Sequence, residues 1–191
     1  MESFETARLL LRPRRPEDFD ACLALDGDPE VVRYVGAPWR NAAEHLAFLR
    51  RRLETSYPPG LGYWAVVPRD DRDRFLGWVM LHPCGVAGAE VEIGWRLNRA
   101  AWGRGYATEA AAPILAQGFK HAAMKEVVAD IHPDNAASMR VAEKIGLRFT
   151  GMADYYGEPA RRYSITREEF RQRNPAAHRG CRPPRGPAAG H

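Results

Sequence analysis

Apolar residues recur along this chain with two periods, and the switches between them mark its elements. "TARLLLRP", residues 6–13, reads as a strand that Pro13 stops. In "RPEDFDACLAL" the spacing of Phe19, Cys22 and Leu23 predicts a helix, with Pro16 in its first turn and Glu17 and Asp18 at its positive end. A second helix is predicted over "NAAEHLAFLRRRLE", where Asn41 and Glu44 form a capping pair, Leu46, Leu49 and Leu53 share a face, and Arg50 to Arg52 make the wet side. "YWAVVP" and "RFLGWVML", parted by the polar "RDDRD", form a hairpin. Strict alternation returns in "EVEIGWRL", which sets Val91, Ile93, Trp95 and Leu97 on one face and Glu90, Glu92, Gly94 and Arg96 on the other.

Helical spacing resumes at Ala111, Leu115, Phe119 and Ala122, with Pro113 placed to kink or shorten that helix. "EVVADI", residues 126–131, is a further strand. After "HPDN" comes a helix with Met139, Ala142 and Ile145 on one side, closed by Gly146 and Leu147 as a left-handed cap. "LRFTGMADYY" and "ARRYSI" make a second hairpin, and Thr166 with Glu169 opens a short last helix. This order of strands and helices describes a mixed α/β sheet with helices on its faces.

With 191 residues and no break in composition, the chain suits one core and one domain, residues 5–170. No apolar run reaches the roughly 18 residues of a membrane span, and "MESFETARLLLRP" lacks the order of a secretion signal, so a cytoplasmic protein is expected. Cys22, Cys84 and Cys181 stand apart without a CxxC spacing, which suggests neither a disulfide framework nor a zinc ribbon. His178, Cys181 and His191 do not make the four tetrahedral ligands of structural zinc, and no metal is expected. The formal charge of +4 includes Arg171, Arg173, Arg179, Arg182 and Arg185, five cations with no acid among residues 171–191, which leaves residues 1–170 at −1. The basic character therefore belongs to a Pro/Gly/Arg-rich tail, disordered by composition, and no nucleic acid is expected for the core.

The strand over residues 90–97 runs into "AWGRGYATEA", where Gly103 and Gly105 flank Arg104 ahead of a helix start. Glycines there admit a ligand close to the backbone, and the unpaired amides and dipole of the helix favour a phosphate or pyrophosphate. A P-loop is excluded because no GxxxxGK precedes Ser or Thr. The dinucleotide fingerprint GxGxxG fails at Thr108.

The rest of the chain supplies what a lone GxG cannot. "TARLLLRP", "DPEVVRYVG", "VEIGWRLN" leading into "AWGRGYATEA", and "HPDNAASMRVAEKIGLRFTG", together covering about residues 5–168, resemble the GNAT superfamily of acyl-CoA-dependent N-acetyltransferases. They are most similar to the Rim-type branch, which acetylates the N-terminal amine of ribosomal proteins. The resemblance implies a single domain with a V-shaped mixed sheet of about seven strands flanked by about four helices, whose strands splay apart near Leu97 and Ile131. Acetyl-CoA, the cosubstrate, would lie in that cleft, its pyrophosphate on the amides of Gly103, Arg104, Gly105, Tyr106, Ala107 and Thr108 and its pantetheine along the backbone near Leu97 and Asn98. Trp102 stands where the family loop has Gln or Arg, as is common in that branch.

Acyl transfer to an amine needs a neutral amine, a stabilised oxyanion and a proton for the leaving thiolate. Glu92 is the candidate base, against the alternative of a surface or salt-bridged glutamate. The tyrosine that many members use as the acid is replaced here by Ala142, and in the resembling branch the role passes to the serine of an NxxS motif, Asn135 and Ser138. Asn135 would hold pantetheine, or else serve only as a helix cap. Trp39, Arg40, Tyr155 and Tyr156 occupy the loops where relatives bind the acceptor. His82, His121 and His132 read as packed or exposed, with His132 close to the cleft, and Trp64, Trp78 and Trp95 as core. The expected activity is acetylation of a protein or peptide N-terminus. The alternatives are a small amine such as an aminoglycoside, polyamine or amino sugar, or a non-catalytic acyl-CoA sensor whose tail meets an acidic partner. Monomer and homodimer both remain open.

Overall fold

The computed structural model describes residues 1–35, 41–84, 90–121, 124–155 and 157–175. Its strands are β1 (Phe4–Glu5), β2 (Leu9–Pro13), β3 (Gly62–Pro68), β4 (Gly77–Cys84), β5 (Glu90–Leu97), β6 (Glu126–Ile131), β7 (Arg148–Tyr155) and β8 (Glu158–Thr166). Its α-helices are α1 (Phe19–Asp26), α2 (Pro29–Val32), α3 (Ala42–Glu54), α4 (Tyr106–His121), α5 (Ala136–Lys144) and α6 (Arg167–Arg173). One mixed sheet takes the order β1-β2-β3-β4-β5-β6-β8-β7. All pairs are antiparallel except β5 with β6.

The strand absent from the sequence reading, β1, pairs Phe4 with Leu11 and Glu5 with Leu10, and two residues are too few to leave a period. Helix α2 is a single turn that Asp28 caps by accepting from the Glu30 amide, also too short for periodicity. Helix α4 was expected to kink or shorten at Pro113 but runs through it to His121. Proline forfeits one intrahelical bond there, while Ala110, Ala111, Ile114 and Leu115 on either side are buried in the core and hold the helix on course. The last helix, α6, carries Arg171 and Arg173 of the basic run. Residues 176–191, with His178, Cys181 and His191, lie outside the described residues.

Each face of the sheet buries its own cluster. One contains Trp64, Val79, Ile93 and Ile165 packed with Ile114 and Leu115 of α4 and Ala142 of α5. The other sets Tyr63, Trp78 and Met80 against Cys22 and Leu25 of α1 and Leu49 of α3. Asp18 complements a helix start as expected, in the first turn over Pro16–Asp18, and it is also buried. Its carboxylate takes Arg12 through two bonds of 2.7 and 2.6 Å and accepts from the Arg15 amide at 2.9 Å, which ties the end of β2 to the turn before α1. Of the arginine run on α3, Arg50 and Arg51 are exposed as expected, but Arg52 is half-buried and donates to the Tyr63 hydroxyl.

Candidate active site

The sheet opens where its direction changes. Parallel strands β5 and β6 share one register pair, Glu92 with Val128. Beyond it β5 stays with β4 as far as Leu97 opposite Gly77, and β6 stays with β8 as far as Ile131 opposite Arg161, so the two carboxyl ends diverge. A cavity of about 330 Å³ occupies the gap, lined among others by Glu92, Trp95, Asp130, His132, Asn135 and Ser138. The Asn98 amide donates to Leu76 O at 2.8 Å, toward β4. By the alternation of the pleat, Trp95 and Leu97 therefore turn their N–H and C=O groups to the open edge. Of the two residues expected to face pantetheine, Leu97 turns its backbone to the open edge, with its O accepting from the Trp102 indole, while the Asn98 amide is engaged with β4 and its side chain donates to Phe75 O at 2.9 Å.

Glu92 stands at the vertex. Its side chain is 9% exposed and its carboxyl group is pushed up to about 7, first by burial, then by the nearby Asp130, against the opposing pull of Arg52 and Arg162. Asp130 does not approach alone. Arg162 of β8 binds it through two bonds of 2.8 and 2.7 Å and reaches Glu90 of β5 at 2.9 Å, so one guanidinium straps three strands beside the vertex. Glu92 is thus neither a surface glutamate nor a partner in an ion pair among the described residues. Gly94, two residues along the same face, leaves room for a neighbour: a Cβ there would stand 2.7 Å from the Met80 Cε.

Ser138 lies on the opposite wall, on the first turn of α5. Its Oγ accepts from the Trp95 indole at 3.3 Å, and its amide donates to the Asn135 side chain at 3.1 Å. Asn135 is therefore a helix cap, as the sequence allowed, and it also lines the cavity. Trp95, expected in the core, is only partly buried because it serves as this wall. His132 lies against the Tyr34 ring, centroids 5.1 Å apart, at the cavity rim. Ala142 is fully buried, so α5 turns the position of the family tyrosine into the core.

Just beyond Leu97, a 3-10 turn over Arg99–Ala101 leads to the glycine loop. Gly103 and Gly105 take φ of +71° and +77°, angles that suit glycine. A Cβ at Gly103 would meet nothing within 4 Å, and one at Gly105 only Arg8 Nη2 at 3.7 Å. The amides of residues 103–108 find no backbone acceptor among the described residues, and the first helical bond runs from Glu109 N–H to Gly105 O at 3.0 Å. This run of donors, at the positive end of a helix of 16 residues, suits a pyrophosphate. Trp102 is 47% exposed and folds back so that its indole donates to Leu97 O at 2.7 Å, joining the loop to the strand end.

Tyr155 lines the cavity from β7. Trp39, Arg40 and Tyr156, the other residues expected at the acceptor, lie outside the described residues. Sequence reasoning missed Asp130 and Arg162, which have no motif and meet only through strand order. It also missed Arg14, Arg52 and Arg96, which gather around a smaller cavity of about 80 Å³ that shares Glu92 with the cleft. For Arg96 the alternation of β5 is a signal, since it sets that residue on the face of Glu92.

Comparison with known proteins agrees with this geometry. Residues 8–148 match the family model described as an acetyltransferase (GNAT) domain. The chain is 27% identical over 153 residues to a Bacillus subtilis (strain 168) protein named Uncharacterized N-acetyltransferase YoaA, covering 80% of this chain and 86% of that one. It is 30% identical over 188 residues to the Aspergillus fumigatus FsC-acetyl coenzyme A-N(2)-transacetylase, covering 88% and 77%. The crystal structure of a GNAT-family acetyltransferase from Bacillus anthracis superposes with a TM-score of 0.72 at 25% identity, covering 87% and 99%. A sheet split at one parallel pair, a glycine loop with free amides beyond it and a family match over most of the domain lead to one assignment: this chain belongs to the GNAT family of acyl-CoA-dependent N-acyltransferases.

Proposed function

We propose that the chain acetylates the N-terminal α-amine of a protein or peptide, using acetyl-CoA. The observation that carries this reading is the buried carboxyl group of Glu92, held at about 7 where the cleft narrows. A base must accept a proton from the incoming ammonium, and efficiency is best when its pKa lies near the working pH. An N-terminal amine titrates near roughly 8 and a lysine-like alkylamine near roughly 10.4, so Glu92 is matched to the former. The likeness of the four sequence motifs to the branch that acts on ribosomal N-termini points the same way.

The amides of residues 103–108 hold the pyrophosphate, and the open edge at Trp95 and Leu97 pairs with the pantetheine arm, an added strand in effect. Glu92 takes one proton from the amine, whose lone pair attacks the thioester carbonyl. The new C–N bond forms, the C–S bond breaks, the Ser138 hydroxyl supplies a proton to the departing sulfur, and the second proton that the nitrogen sheds as the amide forms returns through water to restore the Ser138 hydroxyl. Because Ser138 Oγ already accepts from Trp95, its own hydrogen is left to point toward the cleft.

Release of CoA thiol across a panel of N-terminal peptides, polyamines and aminoglycosides tests the assignment. Turnover of peptides ahead of the other amines is expected. Acetyl-CoA-dependent thermal stabilisation with no turnover of any amine would instead make the chain a sensor. Ser138→Ala should lower kcat about 10- to 100-fold while acetyl-CoA affinity stays within about twofold, since the hydroxyl acts on the leaving group and not on binding. An unchanged kcat removes Ser138 from the mechanism.

A further inference from the structure

The cavity of about 80 Å³ behind Glu92 lies between α1, α3 and the face of β3, β4 and β5, and Glu92 and Tyr155 line both it and the main cleft. Its volume is several times the roughly 15 Å³ that one water needs, enough for a short polar arm. Its walls carry three guanidinium groups. Arg96 is neutralised by Asp26, which also meets His45 Nε2 at 3.1 Å. Arg14 and Arg52 form no ion pair among the described residues. Arg52 donates to the Tyr63 hydroxyl and lies over the Phe48 ring at 4.9 Å. Arg14 Cζ stands 4.0 Å from the centroid of the Tyr63 ring, with its Nε and Nη2 buried and without an acceptor among the described residues.

The neutral groups nearby supply no counter-charge. Burial pushes the Cys22 thiol up to about 11, against the opposing influence of Arg14, and burial likewise keeps the Tyr63 hydroxyl protonated and the His82 ring neutral. Guanidinium nitrogens removed from water without an acceptor are costly, and a carboxylate meets a guanidinium with paired, charge-assisted bonds. The cavity is thus a cationic pocket that opens beside the proposed base.

We propose that the acceptor carries a carboxylate a few bonds from its reacting amine, which Arg14 and Arg52 hold in this rear cavity while the amine stands at Glu92. The carboxylate belongs either to the side chain of an acidic first residue in a peptide or to the α-carboxylate of a free amino acid. This deepens the acyl-transfer reading and rests on it. It also gives a reason for a polyamine or aminoglycoside to be a poor acceptor, because additional ammonium groups would face two unpaired guanidiniums.

Thiol release is to be measured with the full chain, acetyl-CoA and matched tripeptides beginning with Glu or Gln and with Asp or Asn, beside free glutamate and spermidine. The acidic member of each pair is expected to have kcat/KM about tenfold above its amide, as for a hydrogen-bonded charge pair. Arg14→Gln and Arg52→Gln should each bring that ratio toward one, and Arg14→Lys should retain part of it. If Arg14→Gln does not fold, the wild-type ratio and Arg52→Gln decide. Free glutamate outpacing the peptides identifies the α-carboxylate as the source and leaves the subsite standing. Equal rates for acid and amide peptides, with free glutamate no faster than either, overturn the subsite but leave N-acetylation intact. No turnover of any amine overturns the acyl-transfer reading and the subsite with it.

Discussion

Glu92→Gln is expected to reduce kcat by roughly 10²- to 10⁴-fold, the range associated with loss of a positioned general base. Gln keeps the size and polarity of the side chain, so the loss reports proton transfer and not a collapsed cleft. The pH profile gives the sharper signature. Because the carboxyl group is raised to about 7, wild-type kcat/KM should fall as pH drops through 7 and the base becomes protonated. The variant should lack that limb and retain only the titration of the acceptor. A limb near 7 that persists in Glu92→Gln would assign the base elsewhere.

The same shift predicts an effect on folding that needs no substrate. A carboxyl raised from 4.5 to about 7 on folding holds more protons in the native state than in the unfolded chain, so the ionised form destabilises the native state above pH 7. The displacement corresponds to roughly 3 kcal/mol, an order of magnitude. Glu92→Gln removes the penalty, and it should be more stable than the wild type at pH 8, with the advantage shrinking as pH falls from 7 toward 4.5. Chemical denaturation at pH 5 and pH 8 measures the difference. Equal stability of the two proteins at both pH values would mean that Glu92 is better solvated than its burial implies.

Gly105→Asp should weaken acetyl-CoA binding on the order of 100-fold, because it sets a carboxylate beside the amides assigned to the pyrophosphate. Space is not the obstacle, since a Cβ there would touch only Arg8 Nη2 at 3.7 Å. The φ of +77° adds a backbone cost of about 1 to 2 kcal/mol for any L-residue. Gly105→Ala carries that cost without the charge, and the difference between the variants, read by calorimetric titration with CoA, isolates the repulsion. Wild-type affinity in Gly105→Asp would move the pyrophosphate away from this loop.

Local signals made much of the fold legible. The span of β5, the cap of α5 by Asn135 and the Thr166–Glu169 capping box each involve residues within a few positions of one another, and each appears in the structure at the residues expected. Glu92, Asn135 and Ser138 could be singled out because they sit in recognisable motifs, and the fold brings all three to one cavity. What stayed hidden depends on pairing distant segments. Arg162 reaches Asp130 and Glu90 across 32 and 72 positions, and nothing near it in sequence signals that strap. Arg52 looked solvated because two exposed arginines precede it, and only the approach of Tyr63 from β3 shows otherwise. Pro113 misled in the opposite direction, since a local rule for breaking a helix yielded to burial on both sides of it.

The amino-terminal segment bears on the glycine-loop end of the cleft. Thr6 Oγ1 donates to Glu109 at 2.6 Å, and Arg8 grips the same carboxylate through its backbone and guanidinium, so β2 is moored to the opening turn of α4. Trp64 reaches further still, to Glu2 O at 2.9 Å. Trimming of its first eight residues is therefore expected to loosen the start of α4, where the pyrophosphate is proposed to bind.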